Sequence, residues 1–241
     1  MARGNRWFKV RTVLGWPLGI AVVSWRYMWR TTPLHRSEET GDGTDLAGLT
    51  DERTQPGDRR QPAAAGVGPL LHRCYSADIK ASPMTADQLI DLVASGLNRV
   101  SPEMATFRKT RGEGGGVREG DEFVVRMPGP WDGPVRVAHR DATSFRLDTL
   151  EGHLEAGQIE FRAIRTGDGL RFEIESWARA GDRLSDLMYN KLRLAKEIQL
   201  NMWTHFCIRA AGLARGRLQG GVTIRTRWVE WPHDPPGRLR R

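Results

Sequence analysis

The sequence predicts an α+β fold in which an antiparallel β-meander wraps around a long C-terminal helix. Three observations predict it. Between residues 122 and 176, successive runs alternate apolar and polar side chains with period two. Gly-Pro-Trp-Asp-Gly (129–133) and Thr-Gly-Asp-Gly (166–169) are turn sequences of the kind that join neighbouring strands. A long amphipathic stretch then runs from Asp182 to about Ala214.

In chain order, Leu70 to Ile79 predicts a first strand. Pro83 and Met84 lead into Thr85-Ala-Asp-Gln88, a capping box that opens a helix carrying Leu89, Ile90, Leu92, Val93 and Leu97 on one face. Ser101-Pro102 stops that helix by Val100. Phe123, Val125 and Met127 then share one strand face, as do Val135, Val137 and His139. Phe145, Leu147 and Thr149 follow, then Ile159, Phe161 and Ala163, then Leu170, Phe172, Ile174 and Ser176. The other face carries charge, including Arg136, Arg146, Glu160, Arg162, Glu173 and Glu175, which predicts one wet and one dry side. The last helix, ~32 residues and roughly 48 Å long, aligns Leu184, Met188, Leu192, Ala195, Gln199, Met202, Phe206, Ala210 and Leu213 in a stripe. Thr204 falls opposite.

Four regions follow. Residues 1–36 are basic and tryptophan-rich around an apolar run, Val13 to Trp25. Residues 37–67 contain no aromatic residue and predict a flexible linker, because such a segment cannot offset its ordering entropy by burial. Residues 68–214 form the domain, expected to fold without the extension. Residues 215–241 are a basic tail with one strand-like run. The 241 residues carry net charge +8, with 37 basic against 29 acidic. The basic residues interleave with acidic ones on the wet face rather than form one stripe, so nucleic acid ranks last among partners. Two cysteines, Cys74 and Cys207, exclude a disulfide scaffold and a cysteine-built zinc site and fit a reducing compartment. No metal ligand set or cofactor fingerprint is found.

Several strings carry a family resemblance. VGPLLHRCY (67–75), FRKTRG (107–112), GDEFVVRMPGPWDGPVRV (120–137), TLEGHLEAGQIEFRA (149–163) and FEIESWARAGDRLSDLMYNKLRLAKEIQLNMWTHF (172–206) together resemble the bacterial family called domain of unknown function 1990. WRYMWRTTPLHR (25–36) resembles the N-terminal extension of its longer members. The order of elements is that of the helix-grip architecture of START and Bet v 1-like domains. The resemblance implies this fold and supplies no activity, ligand or catalytic set.

Candidate site residues come from the residues themselves. His139, Thr149 and Ser176 project from the dry face, and Gln199 lies in the helix stripe. With His153, Gln158 and Trp203 they are candidates to line a pocket between sheet and helix, since buried polar atoms need partners. Glu151, His153 and Glu155 concentrate titratable groups in one loop and are the candidates for acid–base chemistry. Trp7, Trp16, Trp25, Tyr27 and Trp29 are candidates to settle at headgroup depth. The apolar run beside them is 13 residues, shorter than the ~20 needed to span a bilayer.

Three functions are therefore in play. The leading one is non-catalytic binding of a small apolar or amphipathic molecule in a sheet–helix cavity. The second is an enzyme using the Glu151–His153–Glu155 loop, and the third a membrane-associated adaptor without a ligand. The expected location is the cytoplasm, with the inner face of the membrane as the alternative.

Overall fold

Period-two alternation along the chain does build strands, and they assemble into one sheet. The computed structural model describes residues 32–50, 57–103, 105–127, 132–182 and 194–232, with side chains in the final stretch from residue 199. The expected strands are β2 (Val67–Lys80), β4 (Glu122–Arg126), β5 (Asp132–Arg140), β6 (Ser144–Thr149), β7 (Glu155–Thr166) and β8 (Gly169–Ala180). Three more complete the sheet: β1 (Leu34–Thr40), β3 (Thr106–Arg111) and β9 (Arg217–Val229). Their order across the sheet is β1-β9-β2-β8-β7-β6-β5-β4-β3. Neighbours are antiparallel except β1, which runs parallel to β9.

Helix α1 (Ala86–Ser95) starts as the capping box requires, with the Thr85 amide donating to Gln88 Oε1 at 3.1 Å. A single further turn, α2 (Leu97–Val100), ends at Ser101, ahead of Pro102. The long C-terminal helix is present as α3 (Leu194–Leu213); the part expected before it, including Leu184, Met188 and part of Asp182–Ala214, falls among residues 183–193, outside those described.

The inner face of the sheet grips α3. Tyr75, Phe145, Phe161, Phe172 and Phe206 are all 0% exposed, and each such side chain contributes about 1.5–3 kcal/mol by burial. Phe161 stacks on Phe145 at 4.7 Å between centroids and tilts against Phe206 at 5.2 Å. Helix α3 is buried on more than the stripe: Leu200, Thr204, Cys207 and Ala211 are buried too, because α1 and α2 pack on its other flank. The expected placement of Thr204 opposite the core is corrected accordingly.

The outer face is not uniformly wet. Trp177, Leu70, Val229 and Ala63 make a second small apolar cluster there, with Leu46, Leu49 and Trp231 packed against it. What covers it is the polar stretch expected to be a free linker. We call residues 41–50 and 57–66 the strap. Gly48 lies so close to the Trp177 ring that an added Cβ would sit 2.2 Å from it. Near the other end of the strap, Gln61 inserts beside β6, its amide donating to Thr149 O at 2.8 Å while its carbonyl accepts from Gly157 at 2.9 Å.

Region boundaries change as a result. Residues 37–40, expected in the linker, lie in β1, and β9, expected as a tail element, sits inside the sheet between β1 and β2. A core limited to 68–214 would lack both strands. Among the described residues no helix is long and apolar enough to cross a membrane. Trp7, Trp16, Trp25, Tyr27 and Trp29 lie outside the described residues.

Candidate ligand-binding site

Register places one polar row on the inner face, next to the row that carries Phe145 and Phe161. Arg73 on β2 pairs with Ser176 on β8 and with Thr226 on β9, so the three side chains stand abreast. Arg73 and Thr226 are each 2% exposed. Tyr75, two residues along, points the same way and is fully buried. From α3, Gln199 meets this row: Arg73 Nη1 donates to Gln199 Oε1 at 2.9 Å, and Gln199 Nε2 donates to Glu155 Oε2 at 2.6 Å. An amide thus spans a buried cation and a carboxylate. Gln199 faces the sheet as the helical stripe requires, and Ser176 stands on the face expected.

Trp203 borders this end and packs edge-on to Phe161 at 5.5 Å and to Phe206 at 5.8 Å. It closes the aromatic cluster. Burial pushes the Tyr75 phenol up to about 12, with the Arg73 charge acting the other way, so the hydroxyl stays protonated at neutral pH.

Other candidates go elsewhere. His139 faces outward, half exposed, between Glu119 and Asp141 at 3.2 and 3.3 Å. A bulge between Val137 and His139 is the reason: one extra residue flips every later side chain of β5 to the opposite face. Thr149 is buried on the inner face, but its hydroxyl serves Gln61 O at 2.8 Å and the Gly157 amide at 3.0 Å. It ties down the strap. Gly157 has φ +151, and a Cβ there would meet Trp177 O at 2.0 Å, so the approach needs glycine. Gln158 lies on the outer face opposite Trp177, where its Nε2 donates to Gly48 O at 2.9 Å. Its Oε1 accepts from Thr50 N and Oγ1 at 3.1 and 2.9 Å. It too holds the strap and lines no inner pocket.

The Glu151–His153–Glu155 loop does not assemble a catalytic set. Glu151 is exposed. His153 Nδ1 accepts from the Glu155 amide at 2.9 Å, which puts the ring proton on Nε2 in the neutral form. Burial holds the His153 pKa down, against the nearby Glu155 charge. The Glu155 carboxylate is itself engaged by Gln199.

Reasoning from sequence missed Arg73 and His72 altogether. Both lie in the first strand, where alternation marks them: Arg73 falls in phase with Leu71, Tyr75, Ala77 and Ile79, an inward phase for a cation. His72 is on the outer face, with Nδ1 2.8 Å from Asp45 Oδ1 and Nε2 2.8 Å from Glu175 Oε1. It stacks on Trp177 at 5.0 Å. Both partners are acceptors, so both ring nitrogens must donate, and only the imidazolium does that. Burial alone would lower the His72 pKa; the bonds to Glu175 and Asp45 outweigh it and hold it above its ordinary value. Under the strap, Leu49, Thr50, Arg60, Ala63, Asp148 and Gln158 line a crevice of about 20 Å³, room for one water.

The strings TLEGHLEAGQIEFRA and FEIESW now occupy neighbouring paired strands, and with α3 they supply Ser176, Glu155 and Gln199 around the polar row. Residues 101–209 match the family model Domain of unknown function (DUF1990). The DUF1990 match covers β3 to most of α3, so β1, β2 and β9, which supplies Thr226, fall outside it. No curated protein matches the chain. Several solved structures are similar over part of this chain. Ginseng major latex-like protein 151 from Panax ginseng is 16% identical, with 56% of this chain and 99% of that chain covered and a TM-score of 0.38. A norcoclaurine synthase from Thalictrum is 13% identical over 62% and 97% of the two chains, TM-score 0.41. A hypothetical protein from Helicobacter pylori is 8% identical over 58% and 88%, TM-score 0.43.

Proposed function

We propose that this protein binds a small amphipathic molecule between the sheet and α3 without transforming it. The observation that carries the reading is the hydrogen-bonded chain Arg73–Gln199–Glu155, running from a buried arginine to a part-buried carboxylate, next to an aromatic cluster. Pockets for small molecules pair apolar walls with a few convergent polar groups that fix orientation. The Phe145–Phe161–Phe206 stack fills the far half of the grip, so the ligand belongs at the Gln199 end. Native mass spectrometry of the full chain purified from a bacterial host tests this. A retained small molecule, lost on Trp203→Ala, is the expected result; a bare polypeptide mass that no added lipophile changes overturns it.

The same proposal retains a membrane surface, at the cytoplasmic face, as the contact of the segment that contains Trp7, Trp16, Trp25, Tyr27 and Trp29. Its charge flanks support it: Arg3, Arg6, Lys9 and Arg11 precede the apolar run, and Arg26, Arg30 and Arg36 follow. Anionic liposomes should sediment the full chain and not residues 32–241. Equal sedimentation of both overturns the membrane contact.

A further inference from the structure

We infer that β1 is a dimerisation edge, where two copies of this chain pair their β1 strands antiparallel about a two-fold axis at Ser37. The inference is independent of the ligand-binding reading above. Its first observation is the set of backbone groups that the edge offers. Strand β1 ends the sheet, with β9 as its one neighbour among the described strands. The Val222 amide donates to Pro33 O at 3.0 Å, and the Gly41 amide donates to Trp228 O at 2.9 Å. In a parallel ladder alternate residues bond to a given neighbour, so His35, Ser37 and Glu39 direct their N–H and C=O at β9. Leu34, Arg36, Glu38 and Thr40 turn theirs to the open side. Such an edge is a template for another strand.

The side chains select the partner and the register. Strand β1 reads Leu-His-Arg-Ser-Glu-Glu-Thr, basic before Ser37 and acidic after it. When Ser37 faces its own counterpart in a second copy, Arg36 stands opposite Glu38, His35 opposite Glu39, and Leu34 opposite Thr40. Leu34, Arg36, Glu38 and Thr40 then meet one another as the hydrogen-bonded pairs of an antiparallel ladder, and Ser37 falls in a non-hydrogen-bonded pair. The next allowed register on either side sets Arg36 against Arg36 or Glu38 against Glu38, and a parallel, in-register pairing aligns like charges throughout. From His35 to Thr40 every residue is exposed. His35 Nε2 lies 2.8 Å from Gly220 O and Glu39 lies 3.6 Å from Arg227, both contacts on the β9 side. Arg36 and Glu38 also have contacts within the chain; the pairing rests on the backbone edge, and the charges set its direction and register. The opposite edge is built differently. Strand β3, Thr-Phe-Arg-Lys-Thr-Arg, holds no acid, so a second β3 would set cation against cation.

Sedimentation velocity of the full chain at rising concentration tests the inference, and a dimer is the expected result. Arg36→Glu and Glu38→Arg should each weaken that dimer at least about tenfold. The two changes together should restore it, because they re-create opposite charges across the axis. Ser37→Cys should cross-link two chains on mild oxidation: its facing Cα atoms would lie about 4.5 Å apart, inside the disulfide range of ~4.4–6.8 Å. His35→Cys should not, since its counterpart sits about four residues along the partner strand, roughly 13–14 Å away. Burial raises the native Cys74 and Cys207 thiols, which keeps the background low. A monomer at every concentration overturns the inference. So does a dimer indifferent to the single charge changes, or one that Ser37→Cys links no more readily than His35→Cys.

Discussion

Gln199 joins the buried Arg73 to the part-buried Glu155, and this decides what its replacement does. Leucine preserves the volume but leaves Arg73 and Glu155 without the amide that spans them. Gln199→Leu should therefore destabilise the protein by about 1–3 kcal/mol in urea unfolding. A smaller change would mean that the two charges find other partners at no cost. Gln158→Leu should lose a similar amount for a different reason, since its bonds to Gly48 and Thr50 pin the strap rather than the core. Its ligand affinity should stay at the wild-type value. Residue-level legibility was uneven for physical reasons. The helical stripe oriented Gln199 correctly because 3.6-residue periodicity is unbroken there. His139 was misplaced because a bulge inverts the alternation, and a bulge leaves no signal in a run such as Val-Ala-His-Arg. Gln158 and Trp177 obey the alternation and face outward; their burial comes from a segment whose position no pattern in the strands reveals.

At the scale of elements, the strap depends on His72. Its imidazolium joins Asp45 of the strap to Glu175 of β8, while Arg227 also reaches Asp45 at 3.3 Å and Arg162 reaches Glu175 at 2.6 Å. The His72 pKa is raised, so its contribution is complete below the ordinary imidazole range and lost as pH rises through the folded value. Burial alone would raise the Asp45 and Glu175 pKa values; their bonds, His72 foremost, outweigh it and hold both below the ordinary carboxylate value. Their contribution is present above the ordinary carboxylate range and lost as pH falls through the depressed values. The strap should be tightest between those limits. The protection of amides 41–50 against hydrogen exchange, taken relative to the intrinsic base-catalysed rate, should fall at alkaline pH, and His72→Gln should flatten that fall. An unchanged alkaline profile in the variant would mean that His72 does not hold the strap. Among the elements, β4 to β8 were legible because each has one apolar face. Edge strands were not: β3 buries only Phe107, and the Leu-His-Arg-Ser-Glu-Glu-Thr of β1 is exposed almost throughout. A strand with no buried face writes no alternation.

For the whole molecule, the strap and outer strands pair and pack with residues 68–214, so a folding unit that includes them is the expected one. Starting the chain at residue 32 keeps each described strand, and cooperative thermal unfolding of residues 32–241 is the expected result. Starting it at residue 67 removes β1 and the strap and uncovers Trp177, Leu70 and Val229. That shorter chain should melt well below the first in calorimetry; equal melting temperatures would show the strap to be dispensable. The overall architecture was legible because meander and long helix each carry their own period, whereas the closing pairs join chain ends that no local pattern connects. Strand β9 has a consequence for how the protein is made. Of the described strands it leaves the ribosome last, yet β2, which it must flank, leaves early. At about 5–20 residues per second, β2 waits roughly 10–30 s with one edge unpaired. Throughout synthesis the nascent sheet therefore offers a bare strand to any neighbour that can pair with it. Chains that stop at Ala214, before β9, should remain open to protease, and chains that include β9 should not.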